Sequence, residues 1–236
     1  DTNESPLRFY TRSQAEKLST KLKTYSNIIV DYAMRYGNPS IKSKLDYLHK
    51  EGCEKLIILP LYPQYAAATT ATVCDEVYRV LMKMRWQPSL QIIPHYESEP
   101  LYIDALVNSI NNHLKKIDWI PDVILSSFHG IPKKYFDKGD PYQCYCHKTN
   151  RLMKEKFGNS IPIEISFQSR FGPAEWLRPY TDKTLERLAK EGTSNVLMIC
   201  PGFSSDCVET LEEIEMEGQE TFKENGGKNF SVVPCL

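Results

Sequence analysis

A histidine at the end of an apolar run is the first candidate for chemistry in this chain. Residues 122–128 are typical of a buried strand, and His129 follows them directly, before Gly130 and Pro132 turn the chain away. Ligands in open α/β sheets bind beyond the carboxyl ends of the strands, and histidine can exchange protons near neutral pH or bind a metal. A histidine buried for packing is the other interpretation, and position alone does not separate the two.

Three glutamates form the second candidate site. Glu209, Glu213 and Glu217 recur every four residues, so their side chains share one face of a helix. Like charges at this spacing destabilise a helix, and a bound hydrated cation would offset the repulsion. The alternative is a solvated acidic face, because glutamate favours helices and Glu209 lies near the helix N-terminus, where negative charge is stabilising. The spacing therefore predicts a face of carboxylates and leaves metal binding open.

A third group of residues has metal-binding side chains but the wrong spacing. Cys144, Cys146 and His147 lie together in the sequence. Attachment of c-type haem needs two residues between the cysteines, and structural zinc usually needs a second pair. A thiol pair at a helix start is therefore the favoured interpretation. Cys207 is of more interest, because it lies in the same loop as Glu209.

Composition excludes several classes of function. Of the 236 residues, 41% are hydrophobic and 25% are charged, and the net charge is −1. A near-neutral chain is not expected to bind nucleic acid through a basic face, and no glycine-rich phosphate loop supports nucleotide binding. The longest apolar stretch, residues 56–61, is far shorter than the roughly 20 residues that span a membrane. Seven cysteines, an odd number in a long chain, indicate free thiols in a reducing compartment. With no secretory leader visible, we expect a cytoplasmic protein.

The elements that must position these residues alternate between strand and helix. Thr11 reads as the cap of the first helix, through a capping box with Gln14, and Gly192 and Gly226 are placed to end helices. The alternation predicts an α/β fold with mostly parallel sheets. The predicted strands are residues 27–34, 55–62, 90–96, 122–128, 161–167, 195–200 and 230–235. The predicted helices are residues 12–23, 40–51, 66–85, 99–117, 147–157, 182–191 and 207–224.

An internal repeat predicts two similar halves. Three pairs of segments recur in order at offsets of 135 to 141 residues: Arg35-Tyr36-Gly37 with Arg170-Phe171-Gly172, the strand before Pro60 with that before Pro201, and the strand before Pro94 with that before Pro234. Chance similarity between buried strands is the alternative. The predicted domains are residues 1–118 and 119–236, and the repeat predicts that the chain lacks an opening strand and a closing helix.

With these motifs assembled, the sequence resembles the ferrochelatases, which insert ferrous iron into protoporphyrin IX in the last step of haem synthesis. The resemblance runs essentially from end to end. Cys207 indicates the bacterial type of enzyme, because animal enzymes tend to have histidine at this position. The motifs that carry it are Ser5-Pro6-Leu7, Leu61-Tyr62-Pro63-Gln64-Tyr65, Ser127-Phe128-His129-Gly130-Ile131-Pro132, Gly139-Asp140-Pro141-Tyr142, Phe167-Gln168-Ser169-Arg170-Phe171-Gly172-Pro173, Pro201-Gly202-Phe203 and Asp206-Cys207-Val208-Glu209-Thr210-Leu211-Glu212-Glu213.

The resemblance implies a fold and a set of site residues. The fold is two Rossmann-like α/β domains with a porphyrin cleft between them. His129 and Glu209 would face each other across the macrocycle as catalytic and metal-binding residues, and Glu213 and Glu217 would continue an acidic metal path. Six further residues match positions that line or support the cleft: Arg35, Tyr36, Tyr62, Gln168, Trp176 and Phe203.

The resemblance also implies what the protein binds. Protoporphyrin IX and ferrous iron are the expected substrates, with no nucleic-acid partner; peripheral membrane contact and oligomeric state are left open. A [2Fe–2S] cluster is not expected, because Ala67 stands where animal-type enzymes have a ligand and the C-terminal cysteine segment is absent. Two alternatives are a related chelatase that acts on coproporphyrin or with cobalt, and a two-domain protein that binds a ligand without catalysis.

Overall fold

Contacts divide the chain into two units, each with its own parallel sheet. The computed structural model describes residues 4–158 and 160–236. The first unit runs up to Pro60 and resumes over Ala66–His95, and the second comprises Leu61–Tyr65 and Tyr96–Leu236. The α/β class with parallel sheets, predicted from the alternation of strands and helices, is confirmed.

The first unit is a strand pair with helices before and between the strands. Strand β1 pairs in parallel with β2, and Lys55 lies opposite Ser89. Helices α2 and α3 contact each other and bury Leu45, Val73 and Val77. In chain order the elements are α1 (Pro6–Lys21), α2 (Ile41–Lys50), β1 (Lys55–Ile58), a first π-helix, π1 (Ala67–Ala71), α3 (Thr72–Leu81) and β2 (Ser89–Ile92).

The second unit contains a four-stranded, wholly parallel sheet in the order β4-β3-β5-β6. Strand β3 is central, and six of its seven residues are buried. In chain order the elements are α4 (Pro100–Leu114), β3 (Val123–His129), α5 (Lys133–Asp137), α6 (Tyr142–Phe157), β4 (Ile163–Gln168), α7 (Thr181–Lys190), β5 (Asn195–Ile199), a second π-helix, π2 (Glu209–Gly218), α8 (Gln219–Glu224) and β6 (Asn229–Val232).

Successive residues of β3 enter two different cores, because side chains alternate across a strand. Ile124 packs with Ile110 of α4 and Met153 of α6 on one face. Leu125 packs on the other face with Leu185 of α7 and with residues of π2 and α8. Helices therefore cover both faces of the sheet, which explains the near-continuous apolar run of this strand.

The repeat read from the sequence corresponds to a repeated order of elements. In the first unit β1 is followed by π1, α3 and β2; in the second, β5 is followed by π2, α8 and β6. The flanking strands pair in parallel in both cases. The two copies carry different chemistry, because π1 is built of alanine and threonine, whereas π2 carries the glutamates.

Two predictions about the first hundred residues are wrong. Residues 27–34 were expected to form a strand, but residues 28–33 lie outside regular structure, since β1 and β2 are the paired strands among the described residues of this unit. Thr11 is not a cap: it lies inside α1 and its hydroxyl donates to the Leu7 carbonyl at 2.7 Å. Helix α1 begins earlier because Ser5 caps it, accepting from the Arg8 amide at 3.4 Å, and because proline suits the first helical position.

In the second half of the chain, two helices differ from their predicted bounds or type, because the sequence did not reveal their caps or hydrogen-bond patterns. Helix α6 begins at Tyr142 rather than His147, so Cys144 and Cys146 lie at the start of this helix, as the favoured interpretation of the pair expected. The helix predicted over residues 207–224 is π-helical over Glu209–Gly218 and α-helical only afterwards. Gly192 and Gly226 follow helix ends with φ of +96° and +107°, as predicted from their positions.

The compact units divide at other points than the predicted domains. Helix α4 lies in the second unit, although the predicted boundary at residue 118 assigns it to the first domain. The reason is packing: Ile103, Leu106 and Ile110 of α4 belong to the core that surrounds Ile124 and Met153. Periodicity along a helix predicts that it has an apolar face but not which sheet that face covers.

Gly227 provides a test of packing beneath β6. A β-carbon at Gly227 would lie 2.2 Å from Cε1 of Phe222, whose side chain is fully buried and cannot move aside. We predict that Gly227→Ala lowers the free energy of unfolding by about 1–3 kcal/mol, the usual cost of overpacking. Gly202→Ala is the matched control, because its β-carbon would find its nearest neighbour at 3.5 Å. Urea unfolding of both variants checks this, and equal midpoints would contradict it.

Candidate functional site

Parallel pairing brings two predicted site residues to one edge of the second unit's sheet. His129 ends β3, Gln168 ends β4, and the two are register partners. Because the strands run in the same direction, their carboxyl ends share one edge. His129 is half-buried there, whereas Gln168 is 3% exposed.

The His129 ring is held in one tautomer. Its Nδ1 lies 2.6 Å from the Gly130 carbonyl oxygen. A carbonyl can only accept, so Nδ1 donates this hydrogen bond, and in the neutral ring the lone pair is on Nε2. The rings of Trp176 and Phe203 both lie with their centroids 6.5 Å from that of His129. The arrangement offers one basic nitrogen beside two aromatic side chains.

Backbone contacts place Trp176 beside the end of β3. The Leu177 amide donates to the Ile131 carbonyl at 3.0 Å, and the Lys133 amide donates to the Glu175 carbonyl at 2.8 Å. The indole Nε1 of Trp176 donates to the carbonyl of Phe171, whose own side chain is 83% exposed. These hydrogen bonds join the loop between β4 and α7 to the segment that follows His129.

The glutamates of π2 are tied to the end of β4. The Ser169 amide donates to Oε1 of Glu213 at 2.6 Å, and its hydroxyl donates to Oε2 of the same carboxylate. Nε2 of Gln168 donates to the Glu209 carbonyl oxygen at 3.1 Å and lies 3.5 Å from Oε2 of Glu213. Ser169 has φ of +63°, a left-handed conformation that is uncommon outside glycine. Ser169 was not among the site residues predicted from the sequence, although its place directly after a buried strand was a usable signal.

The carboxylate face runs from half-buried to exposed. Glu209 and Glu213 are half-buried and Glu217 is exposed. Glu213 and Glu217 line a cleft of about 230 Å³ between the end of β4, the start of α7 and π2. Arg170 and Asp182 also line this cleft and are paired at 2.8 Å. The three glutamates were predicted to share one face of an α-helix. In the structure they lie on a π-helix, which has wider turns, and Glu213 and Glu217 line the same cleft.

The predicted metal-binding residues do not form a ready coordination cage. Within residues 4–158 and 160–236, no group of three or more histidine, cysteine, aspartate or glutamate side chains is arranged to hold a metal ion. Binding of metal by His129, Glu209, Glu213 and Glu217 therefore stays a prediction. Burial, together with the hydrogen bond and charge of Glu209, raises the pKa of Cys207 to about 12. This environment therefore disfavours the thiolate form of Cys207.

The remaining predicted site residues lie elsewhere in the chain. Arg35 and Tyr36 belong to the first unit, where Nε of Arg35 donates to the Thr72 carbonyl at 2.8 Å and its guanidinium stacks 4.5 Å above the Tyr36 ring. Tyr36 is 74% exposed. Tyr62 is half-buried in the short segment that belongs to the second unit. No helix of the described chain is long and apolar enough to cross a membrane.

Solved structures show the fold. SirB from Bacillus subtilis with Fe3+ matches with a TM-score of 0.68 and 14% identity, over 98% of this chain and 85% of its own. The sirohydrochlorin chelatase SirB from Bacillus subtilis subspecies spizizenii, in complex with cobalt, matches with a TM-score of 0.62 and 13% identity, over 95% and 82% of the two chains. The fold is therefore that of chelatase-type proteins.

Sequence relatives define the family. The family model named Ferrochelatase matches residues 2–236. The ferrochelatase of Allorhizobium ampelinum is 60% identical over all of this chain and 69% of its own length, and that of Rhizobium meliloti is 56% identical over 100% and 70%. The chain belongs to the ferrochelatase family, as its motifs predicted. It is a lyase that inserts iron into a porphyrin in haem synthesis.

A substitution at Gly130 tests whether the placement of the His129 and Trp176 rings affects the rate of iron insertion. A β-carbon there would lie 3.0 Å from the Gln168 carbonyl oxygen and 3.2 Å from Cε3 of Trp176. We predict that Gly130→Ala shifts Trp176 and the carbonyl that orients His129, lowering kcat/KM for iron insertion by about tenfold or more, since small displacements of reacting groups are costly. Steady-state kinetics check this, with Gly202→Ala as the control. Equal kinetics in both variants would mean that the contact is unimportant.

Proposed function

We propose that this ferrochelatase acts on protoporphyrin IX at the carboxyl edge of the second unit's sheet, with His129 as a catalytic base. The observation that carries the proposal is the His129 ring, which is bonded through Nδ1 to the Gly130 carbonyl and lies beside Trp176 and Phe203. Aromatic side chains suit the flat, apolar macrocycle. A porphyrin over these rings would present its pyrrole N–H groups to the basic nitrogen.

The chemistry requires two proton acceptors and a way to remove water from the metal. Free protoporphyrin loses two pyrrole protons as ferrous iron enters. Nε2 of His129 can accept one proton or bind one metal ion at a time, so a second acceptor is needed. We assign that role to the Glu209 carboxylate, which lies at the start of π2. Carboxylate oxygens can also replace water on the incoming iron.

Glu213 and Glu217 are proposed to pass hydrated iron toward Glu209. Their exposure supports this order, since Glu217 is the exposed member and Glu213 is half-buried. Both line the same cleft of about 230 Å³. Ser169 holds the Glu213 carboxylate through its amide and hydroxyl, which fixes that oxygen pair relative to β4.

The other predicted residues have supporting roles in this proposal. Arg35, Tyr36 and Tyr62 would bind the porphyrin, with the Arg35 cation suited to a propionate group. Gln168 would support the site by holding the start of π2 through the Glu209 carbonyl. We further propose two Rossmann-like domains around a porphyrin cleft, no resident cofactor, and a cytoplasmic location, with Fe2+ as substrate.

Absorbance spectra provide the first test of the substrate. Anaerobic mixing of the protein with protoporphyrin IX and Fe2+ should convert the free-porphyrin bands to metalloporphyrin bands. Parallel reactions with coproporphyrin and with Co2+ distinguish the related chelatases. Faster turnover of coproporphyrin, or conversion only with Co2+, would overturn the substrate assignment.

His129→Ala tests the proposed base. We predict that it lowers kcat by about 100-fold or more, which is within the range for loss of a general base. Its melting temperature should change little, because the side chain is half-buried at a strand end. His49→Ala, at an exposed position of α2, is the control. A near-normal rate in His129→Ala would remove the residue from the mechanism.

Charge removal along π2 tests the proposed iron path. Glu213→Gln and Glu217→Gln should raise the Fe2+ concentration for half-maximal rate by about fivefold, equivalent to about 1 kcal/mol for one lost charge contact. Porphyrin affinity should not change, and Glu209→Gln should lower kcat as well. Glu215→Gln, an exposed carboxylate of the same helix, is the control. Metal titrations at saturating porphyrin decide, and four wild-type curves would reduce π2 to a solvated acidic surface.

A further inference from the structure

The short segment Leu61–Tyr65, called the 61–65 segment below, has no regular secondary structure. It therefore lacks the hydrogen-bond ladder that fixes a strand or a helix, and other groups must satisfy and hold its backbone. Two contacts hold its second half. The Tyr96 amide donates to the Pro63 carbonyl at 3.0 Å. Nε2 of Gln64, a side chain that is only 2% exposed, donates to the Thr149 hydroxyl at 3.0 Å.

The Ser204 hydroxyl holds the first residue of the 61–65 segment. It donates to the Leu61 carbonyl oxygen at 2.8 Å, across a separation of 143 residues in the sequence. A peptide unit is planar, so the Leu61 carbonyl shares one rigid plane with the nitrogen and Cα of Tyr62. The hydrogen bond from Ser204 therefore limits the direction in which the Tyr62 side chain leaves the backbone.

Ser204 also belongs to the loop that presents an aromatic ring to the sheet edge. It directly follows Phe203, whose ring centroid lies 6.5 Å from that of His129. The Tyr102 hydroxyl donates to the Pro201 carbonyl at the start of the same loop. The loop is therefore held at its start by α4, and the serine at its end attaches it to the 61–65 segment.

We propose that Ser204 is a positioning residue for porphyrin binding. Through the Leu61 carbonyl it holds Tyr62 in a fixed place relative to Phe203 and the His129 ring. The proposal rests on the porphyrin-binding roles of Tyr62 and Phe203 given under the proposed function. In it the Ser204 hydroxyl acts through the backbone that it bonds, not by contact with the porphyrin.

Ser109 of α4 offers a matched control for the experiment. Its hydroxyl also donates to a backbone carbonyl at 2.8 Å, but the acceptor is Leu106, three residues away in the same helix. Both serines are half-buried. Ser204→Ala and Ser109→Ala therefore remove the same kind of hydrogen bond, and only the first one joins distant segments. A change in porphyrin binding confined to Ser204→Ala thus reports positioning rather than a general loss of stability.

Steady-state kinetics of the whole chain with Fe2+ and protoporphyrin IX give the first measurement. Ser204→Ala should raise the KM for porphyrin by about fivefold, the effect of one lost hydrogen bond. The kcat and the KM for Fe2+ should stay within about twofold of wild type, because the groups proposed to handle iron keep their partners. Ser109→Ala should match wild type, and Ser204→Thr, which keeps a hydroxyl, should stay within about twofold of it. A wild-type KM for porphyrin in Ser204→Ala, or equal damage in Ser204→Thr, would overturn the proposal.

A double-mutant cycle tests whether Ser204 acts through Tyr62. Tyr62→Ala removes the side chain that Ser204 is proposed to position, so adding Ser204→Ala to it should cause no further loss of porphyrin affinity. The affinity is measured without iron, from the quenching of tryptophan fluorescence as protoporphyrin IX is titrated into the protein. Additive losses in the double variant would show that the two residues act independently, and the assignment would be wrong.

Hydrogen–deuterium exchange separates this proposal from the proposed function. Amides of the 61–65 segment should exchange faster in Ser204→Ala than in Ser109→Ala, because the segment loses a fixed partner. Unchanged exchange would refute positioning, whatever the enzyme does. If the exchange difference is present but the wild-type protein neither binds protoporphyrin IX nor inserts iron, the proposed function is refuted instead. Should Ser204→Ala fail to fold, Ser204→Cys, which replaces the hydroxyl by a weaker donor, decides the same measurements.

Discussion

The parallel pairing of β3 with β4 is the constraint on which the rest of the site depends. The register sets His129 opposite Gln168, so a basic nitrogen and an amide end at one edge of the sheet. Other groups of the second unit's site are bonded to the segments that follow these two strand ends. The segment after His129 is bonded to the loop that carries Trp176, and the residue after Gln168 holds the Glu213 carboxylate. A slip of one residue would turn His129 into the opposite core and separate these groups.

The wide turns of π2 are consistent with the contacts made from β4. A π-helix hydrogen-bonds from residue i to i+5 and is often found at functional sites. Here the Glu209 carbonyl accepts from the Gln168 side chain, and Glu213 is bound by Ser169. The same element order in the first unit includes π1, which has alanines and threonines in place of carboxylates. One backbone arrangement thus occurs twice, but only the second copy presents a row of negative charge.

The aromatic and thiol groups near the site have distinct physical roles. The ring centroids of Trp176 and Phe203 lie equally far from that of His129. The two aromatic rings make the sheet edge apolar around the imidazole. Burial raises the pKa values of Cys200 and Cys235 well above the ordinary range, and Cys207 behaves likewise. All seven cysteines are free. Burial therefore disfavours the thiolate form of the thiols around Asp206.

Much of this protein was determined by its sequence alone. Consecutive apolar residues before His129 predicted a strand buried on both faces, and the spacing of Glu209, Glu213 and Glu217 predicted a shared face, because these features follow from local periodicity. The motifs around them identified the family. Tertiary structure alone decided that α4 covers the second unit's sheet, that the glutamate helix is π-helical, that Ser127 meets Gln168, and that Ser169 meets Glu213. Those outcomes depend on which distant groups supply hydrogen bonds and apolar contact, and one-dimensional spacing carries no information about partners brought together only by folding.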